Sequence, residues 1–251
     1  MNNLCRLVDS SPIGQSLVGA TVLANLFAVT LLLAIPLFAQ AQVSPDTYTV
    51  CPVGPPTCDY ATPEAAVNDP ARVNGDIIAI TTGTYVLGET LQIDNTMTIE
   101  GNDSVLDANG IRAIDVSGRI SVSMGSINIR NGQADPGTGG GALRISGGAS
   151  VFIVGGIFQD NQADFGGAIY NDGTTLQTNV TEFYGNRATN GNGGAVFTDS
   201  LGQTSLDQTI IDGNQARNAG GGVAVIGGNL DAQGNGPRSL VSLSRSTVSN
   251  N

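Results

Sequence analysis

The chain has 251 residues, 35 of them glycine and only 12% charged, with a formal charge of −11. All ten basic residues are Arg, and Lys, His and Trp are absent. This balance argues against nucleic acid or an anionic membrane as partner, since phosphate binding needs a basic face. It also removes the usual general base near neutral pH, the commonest zinc ligand and any Schiff-base lysine.

The first 41 residues have the pattern of a signal peptide. Arg6 precedes an uncharged, mostly apolar run from Leu17 to Phe38, and Ala39-Gln40-Ala41 forms a small-x-small cleavage site. The run is also long enough to span a bilayer as a retained anchor, but Pro36 and the Ala-x-Ala step favour removal. Either route exports the rest of the chain, so a secreted, cell-surface or outer-membrane location is expected. Cys5 leaves with the signal, which makes Cys51 and Cys58 an even pair in an exported chain and hence an expected disulfide. A loop that small contributes roughly 2–3 kcal/mol in the chain-entropy account.

Residues 42–74 are expected to be a linker (Val43 to Tyr48) and a capping segment. Thr62 is a suitable N-cap, Pro63 fits the first helical position and Glu64 suits the positive helix end, while Pro70 limits the helix to a turn or two. A helix of small apolar residues there would cover an open solenoid end. From Gly75 to Asn251 short β segments alternate with Gly, Asn, Asp and Ser. They run Ile77–Ile80, Thr84–Leu87, Thr90–Ile93, Met97–Ile99, Val105–Leu106, Ala113–Val116, Ile120–Met124 and Ser126–Ile129.

The second half repeats. Gly140-Gly141-Ala142-Leu143, Gly166-Gly167-Ala168-Ile169, Gly193-Gly194-Ala195-Val196 and a looser Gly221-Gly222-Val223-Ala224 start 26, 27 and 28 residues apart. An Asn precedes each: Asn131, Asn161, Asn186 and Asn214, with Phe158 and Phe183 three residues before two of them. Ile211 and Val248 hold the Phe place in later copies. Such a period with no room for crossover helices predicts an all-β parallel coil. In that coil the glycines turn tight corners, the Asn side chains stack along the axis and the Phe side chains fill the core. The chain stops inside a repeat at Asn251, which reads as truncation within a coil.

Phe158-x-x-Asn161 with Gly166-Gly167-Ala168-Ile169, and Phe183-x-x-Asn186 with Gly193-Gly194-Ala195-Val196, resemble the paired repeats of the polymorphic outer membrane protein family. That resemblance covers about Ser126 to Asn251. It implies a right-handed parallel β-helix acting as an adhesive surface passenger. Cys58-Asp59-Tyr60-Ala61-Thr62, Gly75-Asp76-Ile77-Ile78 and Gly83-Thr84-Tyr85 are similar to the entry segment of pectin-lyase-like β-helices. This second likeness opens an alternative, a polysaccharide lyase or glycoside hydrolase. A lyase needs acidic calcium ligands and an Arg or Lys base, and a hydrolase needs two spaced carboxylates.

Asp160, Asp164 and Arg187 are the candidates for such chemistry. Asp160 and Asp164 flank the turn of one coil only, whereas Arg187 and Arg217 are expected to share a repeat position, as solvated coil edges do. The calcium-binding Gly-Gly-x-Gly-x-Asp array is absent. Gly137-Thr138-Gly139-Gly140-Gly141-Ala142 lacks the βαβ setting of a dinucleotide site. Tyr170 and Tyr184 are the available aromatic platforms for a sugar in the repeats. The sequence therefore points to a non-catalytic adhesion or structural protein without cofactor or metal. Its partner would be a surface glycan or a protein, with membrane contact only through the signal segment or a further anchor.

Overall fold

A computed structural model describes residues 44–227 and 238–251; the expected signal segment and Cys5 lie outside them. The fold is an all-β parallel solenoid of about seven turns. Its strands form a 13-stranded sheet, a six-stranded sheet and a three-stranded sheet, and every strand pairing is parallel. The first strand is Thr47–Val50, paired with Asp76–Ile80. The solenoid thus begins inside the segment expected to be linker, because Tyr48 and Val50 already alternate with outward residues and add an edge to the next strand.

The N-terminal end is closed as its residues dictate. The helix Pro63–Val67 has Thr62 as N-cap, whose hydroxyl accepts from the Ala65 N–H at 3.2 Å. Ala66 and Val67 are buried in the core. Glu64 reaches past the helix end and accepts from the Gly88 N–H at 2.7 Å. Arg72 lies over the Tyr48 ring, 3.2 Å from its centroid. The Cys51–Cys58 disulfide closes the adjacent loop.

In the early coils two faces are spanned by single long strands, Met97–Asp107 and Ser121–Arg130. In the next coil Gly155 and Gly156 break the equivalent run into Ser150–Val154 and Ile157–Gln159. Period-2 alternation then sends one row inward on each strand. Ile129, Phe158, Phe183, Ile211 and Val248 occupy one such row. The Phe158 and Phe183 rings stack at 5.1 Å and 22°, a contact worth about 0.5–1.5 kcal/mol beyond its burial.

The corner after this row carries an Asn ladder. Asn186 Oδ1 accepts from the Asn161 backbone N–H at 3.0 Å, and Asn186 Nδ2 donates to the Phe158 carbonyl at 2.9 Å and Asn214 Oδ1 at 2.8 Å. Asn214 repeats the pattern with Phe183 and Asn251. Asn131 does not belong to it. The Gly132 N–H donates to Asn161 Oδ1, so Gly132 holds the ladder position. Asn131 sits one residue earlier, at φ +56°, where Asp160, Gly185, Gly213 and Asn250 also take positive φ.

The Gly-Gly corner needs its glycines for two different reasons. Gly140 has φ +74°, and a Cβ there would lie 2.2 Å from the Leu143 carbonyl oxygen. A Cβ on Gly194 would lie 1.8 Å from the Gly221 carbonyl oxygen of the next coil. Gly166 and Gly193 are the left-handed members of their pairs, and Gly141 and Gly167 the closely packed ones. In the last copy the left-handed residue is Gly220, and the Ala195 N–H donates to Gly222. The corner pair is therefore Gly220-Gly221, one residue before the expected Gly221-Gly222, and Gly222 replaces the alanine.

Removing an amide from the ladder strands a buried backbone N–H, at roughly 1–3 kcal/mol per unsatisfied group. Asn186→Ala is expected to lower unfolding stability by about 3 kcal/mol in denaturant titration, while Asn131→Gly, at an exposed left-handed corner, changes it by less than about 0.5 kcal/mol. Val180 is a β-branched residue at φ +53° with an exposed side chain. Val180→Asn should raise the same stability by about 1 kcal/mol by relieving left-handed strain.

Candidate functional site

The outward rows of the long sheet form a concavity that runs across successive coils. Thr98, Ser123, Phe152 and Gln177 lie side by side in register on four successive strands. With the parallel row from Ser121 through Ser150 to Thr175, they line a groove of about 410 Å³ along the solenoid axis. Their chemistry is set by alternation: their neighbours along the strand turn inward and are mostly apolar, with Thr174 and Thr178 the polar exceptions, leaving hydroxyls, an amide and one ring outside. Phe152 is 42% exposed, a single apolar platform among small polar groups. No titratable residue lines this groove.

The residues expected from the catalytic alternative lie elsewhere and do not converge. Asp160 occupies the left-handed corner and accepts from Gln159 Nε2 at 3.0 Å. Asp164 lies beyond the short strand Gln162–Ala163. Its carboxylate accepts from the Gly137 N–H at 2.6 Å, Thr189 Oγ1 at 2.8 Å and Asn190 Nδ2 at 2.6 Å. The Gly137 N–H first, then the Thr189 hydroxyl, holds its pKa below the usual carboxylate value against a small opposing effect of burial. Asp160 and Asp164 share no hydrogen-bond partner, and neither pairs with Arg187 among the described ion pairs.

Arg187 projects outward from Arg187–Ala188, paired with Gln162 and Gln215. Arg217 does not share its repeat position. The Arg217 N–H donates to Ala188, which places Arg217 opposite Thr189, two residues further on. The coil step from Arg187 to Gln215 is two residues shorter than the spacing of the Arg pair.

Other acids of the repeats tie neighbouring coils together. Asp172 pairs with Arg144 at 3.7 Å, Asp207 with Arg245, and Asp212 accepts from Ser249 and Asn250 at 2.7 Å each. Tyr170 is not an open platform. Its ring stacks on Phe197 at 5.6 Å and 9°, and Gly139 abuts it so closely that a Cβ would lie 2.6 Å away. Burial, then the nearby Asp172 and Asp199 charges, pushes its hydroxyl up to about 12. Tyr184 is half-buried on the strand Glu182–Tyr184. Among the described residues no group of three or more acidic or Cys side chains is placed to hold a metal ion.

Comparison with known protein families, curated proteins and solved structures finds no match to this chain. The geometry of the coils therefore carries the functional argument. The groove row was not visible in sequence, although alternation marks each member as outward. Aligning them needs the coil lengths, which differ: Thr98 to Ser123 and Ser123 to Phe152 are unequal steps.

The depressed carboxylates give a pH signature. Asp164, Asp59 and Asp69 are all held below their ordinary value, the last two chiefly by the Thr49 N–H and the Tyr60 hydroxyl. A group with a lowered folded pKa adds stability above its unfolded value, and that stability is lost as pH falls through the folded one. With no His in the chain, the melting temperature should be flat from about pH 5.5 to 8 and drop below about pH 4. Asp164→Asn should lower the plateau more than Asp160→Asn.

Proposed function

We propose that this chain is an exported cell-surface or secreted β-helix repeat protein with a non-catalytic adhesive or structural role. It grips its partner along the outward face of the long sheet. The observation that carries this reading is the groove itself: four coils contribute in-register hydroxyl, amide and aromatic groups, and nothing in it can donate or abstract a proton at neutral pH. A surface of this kind binds through many weak contacts summed over an extended ligand, such as a surface glycan or an extended protein segment.

The paired Phe-x-x-Asn and Gly-Gly-Ala repeats support kinship with polymorphic outer membrane protein passengers, whose coils would serve as a stiff spacer. The uncharged N-terminal run supports export. Asp160 and Asp164 share no hydrogen-bond partner and neither pairs with Arg187 among the described ion pairs, which weighs against lyase or hydrolase chemistry.

The test is retention of the full-length chain on intact cells and on arrayed polysaccharides. Thr98→Ala, Ser123→Ala and Phe152→Ala should each weaken retention by no more than roughly threefold, and the triple variant by more than tenfold. Abolition by one of the three substitutions alone would contradict an extended face. Depolymerisation of pectate, alginate or xylan that disappears in Asp164→Asn would overturn the non-catalytic reading.

A further inference from the structure

A second, chemically different groove lies on the three-stranded sheet. Arg187, Thr189, Gln215 and Arg217 wall it, over the backbone of Ala188 and Ala216, enclosing about 360 Å³. Ala188 is buried, so alternation sends Arg187 and Thr189 outward together. Arg187 pairs with Gln215, and Thr189 faces Arg217. The two Arg thus stand at diagonal corners of a four-residue patch. Adjacent strands and a two-residue step separate their Cα atoms by about 8 Å, within reach of two long side chains converging on one group.

Their charges are not used by the fold. Arg72, Arg112, Arg130, Arg144 and Arg245 each pair with an Asp. Arg187 and Arg217 form no ion pair among the described residues, although the chain carries 21 acidic residues. Asp164, just beyond the strand Gln162–Ala163 that stacks on Arg187–Ala188, could have neutralised them. Its oxygens are instead held by Gly137, Thr189 and Asn190. Asp212, at the neighbouring corner, is held by Ser249 and Asn250. Arg217 Nη1 donates to Asn190 Oδ1 at 3.2 Å, a neutral partner that steadies the guanidinium without cancelling its charge. Like charges on neighbouring strands repel, so the patch is a poor structural device and a good anion receptor. Guanidinium groups match the paired oxygens of sulfate and carboxylate.

We infer that this patch binds the sulfate or carboxylate groups of an acidic polysaccharide. Beside the two cations, the Gln215 amide offers a donor and an acceptor for sugar hydroxyls, and the Thr189 oxygen, whose proton goes to Asp164, offers a further acceptor. They offer no apolar pocket for the side chains of an acidic peptide. The inference does not rest on the long-sheet groove, which lies on another sheet.

The experiment is surface retention of the full-length chain on immobilised heparin, polygalacturonate and polyglutamate at low and at raised sodium chloride. The chain should be retained on heparin or polygalacturonate, less so at higher salt. Retention should fall at least tenfold in Arg187→Gln/Arg217→Gln and stay unchanged in Arg119→Gln, an exposed Arg outside the patch. An unchanged melting curve of the double variant ensures that a folded protein is compared. Heparin alone identifies sulfate as the ligand group, and polygalacturonate alone identifies carboxylate. No retention on either polysaccharide, equal retention by the double variant, or stronger retention on polyglutamate overturns the inference. Loss in Phe152→Ala with none in the double variant would assign the ligand to the other groove and overturn it equally.

Discussion

Parallel stacking leaves the backbone at each coil corner with buried N–H and C=O groups that cannot pair within their own turn. Here one residue type meets the need. Each ladder Asn accepts a backbone N–H from the coil before it and donates to a carbonyl of that same coil. Its second amide hydrogen passes to the next Asn. Because the chain of amides runs from Gly132 to Asn251, a slip of one residue in any coil would leave buried polar groups unmatched at two corners. The ladder therefore fixes the register from Gly132 onward, which sets Ser123, Phe152 and Gln177 in one line, and the pairing of the two long strands adds Thr98 to it.

The interior changes character along the axis. Ile145 is followed in its row by Asn171 and Thr198, and Ile153 by Thr178. Leu176 gives way to Thr204 in the same manner. These buried polar groups satisfy one another: Asn171 Nδ2 donates to the Thr174 and Gln203 carbonyls at 3.1 Å and to Thr204 Oγ1 at 2.9 Å. Thr178 and Thr209 hydroxyls meet at 3.0 Å. A fully bonded polar interior is more exacting about geometry than an apolar one, because each misplaced group carries the full desolvation cost. The later coils thus add specificity of packing where the early coils add apolar burial.

Much of this was legible in the residues. The Gly-Gly-Ala period announced the parallel coil, and Thr62-Pro63 announced the helix start. Cys51 and Cys58 announced their bond, and Phe158 and Phe183 their stack. What failed was register at single-residue resolution. Asn131 and Gly132 both look like acceptable corner residues, and only the hydrogen bond from Gly132 to Asn161 decides between them. Gly220, Gly221 and Gly222 offer two equivalent frames in sequence, and φ selects the earlier one. Arg187 and Arg217 seemed equivalent by their place in the repeat, yet the register pairs Arg187 with Gln215. Variation in coil length hid the groove and the Arg patch, since both are assembled across coils and neither exists within any one of them.

A binding face assembled this way predicts a particular footprint. Hydrogen exchange of the full-length chain, free and in contact with the surface that retains it, reads that footprint directly. The account predicts added protection in four separate segments at once, around residues 98, 123, 152 and 177, with the Asn ladder equally protected in both states. Protection confined to a single loop, such as the turn around Asp160 and Asp164, would contradict it and return attention to a localised, enzyme-like site.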